Sequence, residues 1–256
     1  GSEVHFDMPM AQLTSMRVGG PCDALVLAKG EEEMLSVMQY ARQESIPILV
    51  MGKGSNLIVR SGGIRGIVLQ NVADAIRVNG TSIHSAAGAK LPNLAREAMQ
   101  KNLAVLEFAQ GIPGSVGGGI YMNAGAYGGQ MADVLRRVRF IDQNLSLQER
   151  EVCDADFGYR SSVFSQNGWV ILSADFAVGR DMDGAARRRF DEYRKRRQEK
   201  QPLEWPSAGS VFKRPTGHYA GALIQDAGLK GLRIGGAVVS EKHAGFIVND
   251  NDATAE

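Results

Sequence analysis

Apolar and polar positions along the first quarter of the chain predict strands around one long helix. Residues 31–46 begin with three glutamates and then repeat apolar side chains at helical spacing, and acids in a first turn suit a helix N-terminus. A short apolar run at 23–29 precedes this helix, and Ile46–Met51 follows it as a candidate buried strand. The pattern from 23 to 70 therefore predicts strand, helix, strand, strand, strand, with residues 57–59 resuming an extended run after a glycine-containing loop.

The middle of the chain predicts a second α+β segment. An Asn79-Gly80 pair between two alternating stretches predicts a hairpin over 75–87, and residues 91–102 carry apolar side chains on one helical face. Residues 136–152 predict another hairpin, and residues 168–178 a further strand.

The last quarter is different in composition. Residues 183–200 predict a strongly basic helix, for which a solvated connection between domains is the ordinary explanation and a patch that steers anionic ligands is the alternative. After it, residues 206–215 predict a tight polar loop, residues 219–227 a short helix, and residues 232–250 a pair of strands. The chain thus divides into four predicted segments: 1–74, 75–182, 183–203 and 204–256.

Composition narrows the classes of function. The chain has 256 residues and a formal net charge of +1, which argues against a nucleic-acid-binding protein. It has no run near the roughly 18 apolar residues needed to cross a bilayer, so we expect no membrane insertion. Cys22 and Cys153 form no C-x-x-C pattern and the four histidines show no metal-binding spacing, so we expect no metal site and a reducing, cytoplasmic environment.

The stretch Ala109–Gly129 contains eight glycines and Pro113. Such a sequence lets backbone N–H groups face a phosphate, although the G-x-G-x-x-G dinucleotide fingerprint is absent and a flexible loop is the commoner explanation. Its apolar residues, among them Ile112 and Val116, instead favour a packed, buried loop. A second glycine loop, Gly52–Asn56, follows a predicted strand. Its sequence is typical of either a ligand-binding loop or a simple turn.

Two residues are candidates for catalytic chemistry. Arg160 lies between aromatic residues and serines in FGYRSSVF, where a planar guanidinium could clamp a carboxylate, with a structural salt bridge as the alternative. Ser210 follows Gly209 in a sequence without a G-x-S-x-G elbow, so it lacks support as a hydrolytic nucleophile. Two roles remain for Ser210: a proton donor placed by a tight loop, or a residue that stabilises the turn.

Six motifs in order resemble one enzyme family. They are TSMRVGG (14–20), GKGSNLIV (52–59), GIPGSVGGGIYMNAGAYG (111–128), FGYRSSVF (157–164), PSAGSVFKRP (206–215) and GGAVVSEKHAGFIVN (235–249). Together they resemble UDP-N-acetylenolpyruvoylglucosamine reductase, the flavoenzyme that completes UDP-N-acetylmuramate for bacterial peptidoglycan.

The resemblance implies an α+β protein. Its fold would be the FAD-binding fold of the vanillyl-alcohol-oxidase/PCMH type in two subdomains, with a smaller substrate-binding domain. The first two segments would then be the FAD-binding subdomains, 183–203 a linker helix, and 204–256 the substrate-binding domain. NADPH would reduce FAD. The partners would be NADPH and a sugar nucleotide, and we expect the protein to be a monomer.

Site residues follow from matching motifs. The residues that would hold FAD are Arg17, Gly52, Lys53, Gly54, Ser55, Asn56, Leu57, Gly111, Ile112, Pro113, Gly114, Ser115, Gly117, Gly118, Asn123, Gly125, Ala126 and Tyr127. Ser210 would protonate the carbon next to the substrate carboxylate, and Arg160 would stabilise the enolate. Lys200, Arg214 and His243 would contact the substrate.

This chain also departs from the family pattern. That pattern continues past residue 256 to a strand with a catalytic glutamate, so the resemblance implies a shortened substrate-binding domain here. Arg214 replaces the usual asparagine, and the 50 positions from Arg160 to Ser210 leave no room for the long substrate-covering loop of one variant. Two alternatives stay open: a flavin-binding protein without catalysis, and an oxidase of the same fold that tethers flavin through His84 or Cys22.

Overall fold

The structure of the protein is a computed structural model that describes residues 2–256. Six α-helices form within these residues: α1 (Glu31–Gln43), α2 (Leu91–Gln100), α3 (Val116–Tyr121), α4 (Val163–Asn167), α5 (Ala185–Lys200) and α6 (Ala220–Asp226). The strands of the first half are β1 (Glu3–Pro9), β2 (Pro21–Ala28), β3 (Ile48–Met51), β4 (Ile64–Asn71), β5 (Ile76–Asn79), β6 (Ser82–Ala86), β7 (Leu103–Ala104), β8 (Gly125–Ala126) and β9 (Gly129–Gln130). Those of the second half are β10 (Leu135–Ile141), β11 (Leu147–Glu151), β12 (Phe157–Gly158), β13 (Ser161–Ser162), β14 (Val170–Ala177), β15 (Gly179–Arg180), β16 (Ser207–Ser210), β17 (Arg233–Ile234), β18 (Ala237–Val239) and β19 (Phe246–Asn249).

Three larger sheets organise these strands. Their orders are β1-β2-β4-β3, β11-β10-β14-β6-β5 and β16-β19-β18-β17. Helix α1 connects β2 to β3, and β3 runs parallel to β4, to which residues 52–63 join it. The neighbours in the five-stranded sheet are antiparallel. The mixture of separate helices and mainly antiparallel sheets is the expected α+β architecture.

Two compact units divide the described chain. The first comprises residues 2–4, Val26–Lys53 and Ile67–Lys195, and the second comprises His5–Leu25, Gly54–Gly66 and Arg196–Glu256. These units follow spatial packing and not chain order. The predicted boundaries at 74, 182 and 203 therefore stay a prediction about functional segments.

The hydrophobic core of the first unit lies between the five-stranded sheet and its helices. Leu91, Leu94 and Ala98 of α2 are at most 1% exposed, as the helical spacing of these residues predicts. They pack in one cluster with apolar residues of β6, β10 and β14, and with Val116 and Ile120 of α3. The glycine-rich run is thus anchored on the main core of this unit.

Most predicted elements are confirmed. Helices form at Glu31–Gln43, Leu91–Gln100, Ala185–Lys200 and Ala220–Asp226, and both predicted hairpins pair in register. Strand β14 at Val170–Ala177 also forms where the apolar run predicts it.

Four predictions need correction. Residues 57–59 form no strand, and the segment turns directly after them, where the N–H groups of Gly20 and Gly63 both donate to the Arg60 carbonyl. The predicted polar loop contains strand β16, which pairs with β19 through a register shift at Gly209, where φ is +82°. The last apolar segment forms three strands instead of two. The glycine run is not simply a loop, since it contains helix α3.

No helix in residues 2–256 has the length and apolar character required to cross a membrane.

Candidate functional site

Arg160 occupies the two-residue turn of a short hairpin in the first unit. Strands β12 and β13 pair Gly158 with Ser161, so Tyr159 and Arg160 form the turn between them. Arg160 has φ +54°, a left-handed conformation that a turn normally gives to glycine or asparagine. Holding a bulky residue in such a conformation costs free energy, and it fixes the direction in which the side chain leaves the turn.

The side chain of Arg160 is half-buried and anchored on the glycine run. Its Nη1 donates to the carbonyl oxygen of Asn123 at 3.3 Å, and its Nη2 donates to the carbonyl of Gly125 at 2.9 Å. The guanidinium carbon lies 5.1 Å from the ring centre of Tyr159. Within residues 2–256 Arg160 forms no salt bridge with a carboxylate, so the structural ion pair considered from the sequence is absent there. A guanidinium has five N–H donors, and the remaining ones are available to an anionic ligand.

The two glycine loops of the sequence meet at Ser115. A Cβ atom added to Gly52 would lie 2.2 Å from the Ser115 Oγ, so these residues are in direct contact. Ser115 also caps α3, because Gly118 N donates to its Oγ at 3.2 Å. Gln70 Nε2 donates to the Gly52 carbonyl at 2.6 Å and fixes the end of β3. The end of β3 and the start of α3 therefore pack directly against each other at Gly52 and Ser115.

Two features of the glycine-rich run fit a cofactor: open space beside Gly118 and an unpaired oxygen on Gln110. Gly118 is exposed, and a Cβ atom added to it would meet only the Ser115 Oγ, at 3.3 Å, so the space beside its backbone is open. Gln110, at the start of the glycine run, has a buried side-chain oxygen without a hydrogen-bond partner in the part of the chain that the structure describes. A buried acceptor of this kind is costly unless a ligand supplies a donor. Gln110 was not predicted, since only tertiary packing reveals its unpaired oxygen.

Other residues of the run serve the packing of the loop itself. A Cβ atom on Gly117 would lie 2.8 Å from the Ala87 Cβ, so this glycine allows α3 to approach the sheet. Tyr127 stacks on Tyr193 of α5 with ring centres 4.3 Å apart, and its hydroxyl donates to the Tyr193 carbonyl at 3.2 Å. Ile112 packs against the core cluster of the first unit.

Asn123 is fully engaged within the protein. It is 2% exposed, its Nδ2 donates to Gln130 Oε1 and to the Gly158 carbonyl, and its Oδ1 accepts from Ala132 N, all at 3.1 Å. These bonds occupy the side-chain amide. A cofactor contact through this side chain stays a prediction that the geometry does not support.

The remaining predicted cofactor residues lie along these loops. Gly111 and Gly114 have φ +75° and +123°, and Pro113 between them is exposed. The Gly114 carbonyl accepts from Leu91 N at 3.0 Å, which fixes this part of the run at the start of α2. Ala126 is in β8 and Lys53 is half-buried after β3.

In the second unit, Gly54 and Arg17 border the same short segment. A Cβ atom on Gly54, which has φ +62°, would lie 2.0 Å from the Leu13 carbonyl oxygen, so only glycine fits there. Arg17 also has positive φ, its N–H donates to the Thr14 carbonyl at 3.1 Å, and its side chain is exposed. Ser55, Asn56 and Leu57 continue the loop, with Asn56 exposed.

Ser210 and His243 lie beside each other in the second unit. Ser210 ends β16 with an exposed side chain, and Val211 N donates to the Gly245 carbonyl at 2.9 Å. A Cβ atom added to Gly245 would lie 3.7 Å from the Ser210 Oγ and 3.0 Å from the His243 Cε1. A side chain at 245 would therefore crowd the imidazole, so the glycine allows the His243 ring to lie against this backbone, close to the Ser210 hydroxyl.

The imidazole of His243 is a neutral donor. Burial lowers the pKa of His243, the nearby Lys230 lowers it further, and only a backbone hydrogen bond opposes them. Nδ1 accepts from Gly245 N at 3.1 Å, which assigns the proton to Nε2. His243 can therefore offer an N–H to a substrate oxygen at neutral pH without carrying a charge.

Lys200 and Arg214 are both exposed in the second unit. Lys200 is the last residue of α5, and the Arg214 guanidinium lies over the Tyr219 ring with its carbon 3.9 Å from the ring centre. A stacked, planar cation can still bind an anion at its edge.

The two residues considered as covalent flavin attachment points are otherwise engaged. Cys22 is fully buried in β2, and burial raises the pKa of its thiol. His84 Nδ1 lies 2.7 Å from Asp175 Oδ1 on the neighbouring strand. Among residues 2–256 no three His, Cys, Asp or Glu side chains gather closely enough to hold a metal ion.

Family models match most of the chain. The FAD binding domain matches residues 22–148, and the C-terminal domain of UDP-N-acetylenolpyruvoylglucosamine reductase matches residues 201–256. The first range contains both glycine loops, and the second contains Ser210 and His243.

Individual proteins are similar to this chain over nearly its whole length. UDP-N-acetylenolpyruvoylglucosamine reductase of Clostridium perfringens is 43% identical over 255 residues, which cover 99% of this chain and 84% of that protein. The protein of the same name from Streptococcus pneumoniae is 45% identical and covers 100% of this chain and 85% of its own length. The crystal structure of the Thermus caldophilus enzyme superposes with a TM-score of 0.85 at 34% identity, covering 100% of this chain and 90% of that one.

A cholesterol oxidase from Brevibacterium sterolicum shows how far the fold extends. The superposition has a TM-score of 0.52 at 13% identity and includes 70% of this chain and 38% of the oxidase chain. At this identity the likeness shows the fold alone. The expected FAD-binding α+β fold is therefore confirmed. By its similarity over nearly the whole chain, this protein belongs to the UDP-N-acetylenolpyruvoylglucosamine reductase family.

Proposed function

We propose that this protein reduces the enolpyruvyl ether of UDP-N-acetylglucosamine to UDP-N-acetylmuramate, with Arg160 and Ser210 as its catalytic residues. The activity follows from family membership, which also makes the protein an FAD-dependent oxidoreductase of peptidoglycan synthesis that uses NADPH. The observation that supports the catalytic assignment is the half-buried guanidinium of Arg160, which two backbone carbonyls hold in place without a carboxylate partner.

FAD, when bound, supplies to the substrate double bond the hydride that NADPH provides. The glycine loops at Gly52 and Ser115–Gly118 would hold this cofactor, together with the other predicted residues of the two loops. Gln110 joins this set through its unpaired oxygen, which can accept from an N–H or O–H of the ligand.

Arg160 binds the substrate carboxylate and opposes the negative charge that grows on it. Hydride addition to one alkene carbon places an electron pair on its neighbour, and the adjacent carboxylate shares that charge. A preorganised guanidinium stabilises such a charge without reorganising, which is the largest single contribution in many enzymes. The carbonyls of Asn123 and Gly125 fix one side of the guanidinium and leave the rest of its fork for the carboxylate.

Ser210 donates the proton. Its Oγ–H bond breaks as a new C–H bond forms at the carbon next to the carboxylate, which completes the saturated ether. A serine hydroxyl is a weak acid, so this role requires a strongly basic carbanion as acceptor, and an enolate-type carbon meets that requirement.

Lys200, Arg214 and His243 bind the substrate. Lys200 and Arg214 are cationic and exposed, and His243 offers a neutral N–H beside Ser210. These properties suit the oxygens of a sugar nucleotide diphosphate.

The proposal includes a monomer in the bacterial cytoplasm. Both cysteines are free thiols, as is usual in a reducing compartment. Light scattering coupled to size-exclusion chromatography tests the oligomeric state, and a dimer mass would contradict this part.

Substrate-dependent NADPH oxidation by the full-length protein tests the activity. We expect a yellow protein with a flavin absorption band, and NADPH consumption only when the enolpyruvyl sugar nucleotide is present. A flavin-loaded protein that binds this substrate without consuming NADPH would refute the function and select the non-catalytic alternative.

A further inference from the structure

The hairpin that carries Arg160 is clamped at both of its strands. On β12, the carbonyl of Gly158 accepts from Asn123 Nδ2 at 3.1 Å. On β13, Ser162 Oγ donates to the carbonyl of Tyr121 at 2.8 Å. Tyr121 is the last residue of helix α3 and Asn123 follows it by two positions, so the short segment 121–125 at the end of this helix holds both strands of the hairpin.

The same short segment also receives the Arg160 side chain. The guanidinium binds the carbonyls of Asn123 and Gly125, so the hairpin and its functional group contact one continuous piece of backbone. Movement of either strand relative to this piece would change the position of the guanidinium. Displacements of about 1 Å can cost a rate of about 100-fold when they misplace a reacting group.

Ser162 is a fully buried member of this clamp. It is 0% exposed, and its Oγ both donates to Tyr121 O and accepts from Ser165 N at 3.1 Å, as the N-cap of α4. Removing the hydroxyl would leave the half-buried Tyr121 carbonyl without this donor. The sequence FGYRSSVF suggests no such role for its second serine.

We propose that Ser162 is a positioning residue for Arg160, acting with the amide of Asn123. Ser162 keeps β13 on the last residue of α3, and this fixes the turn in which Arg160 points its remaining N–H groups at the substrate carboxylate. The inference rests on the proposed role of Arg160 in substrate reduction.

The test compares Ser162→Ala with Ser165→Ala. Ser165 is the other half of the α4 capping box: its Oγ accepts from Ser162 N at 2.9 Å and donates to the Ser162 carbonyl at 2.8 Å, and neither bond involves the Tyr121 carbonyl. Both variants therefore weaken the start of α4, and only Ser162→Ala opens the clamp. Flavin content and the far-UV circular dichroism spectrum of the full-length proteins establish that both are folded and loaded.

Rapid mixing separates the two half-reactions of each variant. We expect Ser162→Ala to slow reoxidation of the reduced flavin by the enolpyruvyl substrate by about 10- to 100-fold, with flavin reduction by NADPH unchanged. Ser165→Ala should change neither rate more than about twofold, because loss of an N-cap interaction affects stability and not the clamp. Equal slowing in both variants would overturn the proposal, since capping of α4 would then explain the effect.

A double variant distinguishes this inference from the proposed function. In an Arg160→Lys background, Ser162→Ala should have little further effect on reoxidation, because it acts through the guanidinium. Full additivity of the two changes would refute the positioning role while Arg160 kept its own. If Arg160→Lys alone left reoxidation unchanged, the proposed function of Arg160 would fail instead.

Amide hydrogen exchange gives a readout that needs no substrate. Peptides covering residues 157–162 should exchange at least several-fold faster in Ser162→Ala than in Ser165→Ala, because the clamp limits opening of the hairpin. Identical exchange in the two variants would contradict the clamp.

Discussion

Replacing Gly52 by alanine tests the contact that joins the two glycine loops. The new Cβ would lie 2.2 Å from the Ser115 Oγ and 3.2 Å from its Cβ, and real Cβ atoms essentially never approach as closely as the first distance. Gly52 itself is fixed by the hydrogen bond from Gln70, so the backbone cannot easily retreat. The strain must be relieved mainly by moving Ser115.

The cost has two parts. Overpacking in a close-packed region costs about 1–3 kcal/mol. Moving the Ser115 hydroxyl also removes the cap that Gly118 N uses, which is worth about 1 kcal/mol. We therefore expect Gly52→Ala to lower the free energy of unfolding by about 2–4 kcal/mol.

Urea denaturation of the FAD-free protein measures this loss directly. The midpoint should fall while the slope of free energy against urea stays the same. Gly179→Ala is the matched control, because its added Cβ would meet nothing within 4 Å and its φ is not positive. We expect this control to change stability by no more than about 0.5 kcal/mol.

A double variant identifies the clash as the cause. Ser115→Ala removes the oxygen at 2.2 Å and leaves the 3.2 Å contact between the two Cβ atoms, which a small shift can accommodate. Gly52→Ala should therefore cost clearly less in a Ser115→Ala background than in the parent. Equal costs in both backgrounds, or a Gly52→Ala variant as stable as Gly179→Ala, would refute the reasoning.

Three further predictions concern the cofactor, acid stability and the histidine. Gln110→Leu removes the unpaired buried oxygen, so it should raise the stability of the FAD-free protein by up to about 1–3 kcal/mol but weaken FAD affinity in a fluorescence titration; a drop in both would contradict the assignment. Burial opposes ionisation of Asp175, but hydrogen bonds from His84 and Arg137 outweigh it and hold its pKa below the ordinary value. The stability that this carboxylate contributes is then present above about pH 4 and is lost as pH falls through its folded pKa. Asp175→Asn should therefore reduce the loss of unfolding free energy that occurs at acidic pH. An unchanged loss would contradict this role of Asp175. The lowered pKa of His243 predicts that His243→Gln, which keeps an N–H donor, retains substrate affinity better than His243→Leu in calorimetry, and equal losses would exclude the donor role.

Periodic elements could be predicted from the sequence because their signal is local. Helices α1 and α2 repeat apolar residues at helical spacing, and the β5–β6 hairpin carries an Asn-Gly turn. Strand β16 has no such signal, since SAGS contains small residues and is extended only by pairing with β19, far along the chain.

Some features of the candidate site could likewise be predicted from the sequence, whereas others depend on tertiary packing. Sequence motifs predict Arg160, Ser210 and the glycine loops as site residues, because the resemblance carries residue types in order. The unpaired oxygen of Gln110 and the bond from Ser162 to Tyr121 depend on which backbone groups packing brings near them. No pattern in one sequence contains that information.

Separate measurement of the two half-reactions tests the central claim most directly. In Arg160→Lys and Ser210→Ala, flavin reduction by NADPH should proceed at the parent rate, while reoxidation by the enolpyruvyl substrate should fall by about 100- to 1000-fold. Equal losses in both half-reactions, or reoxidation at the parent rate, would contradict the account.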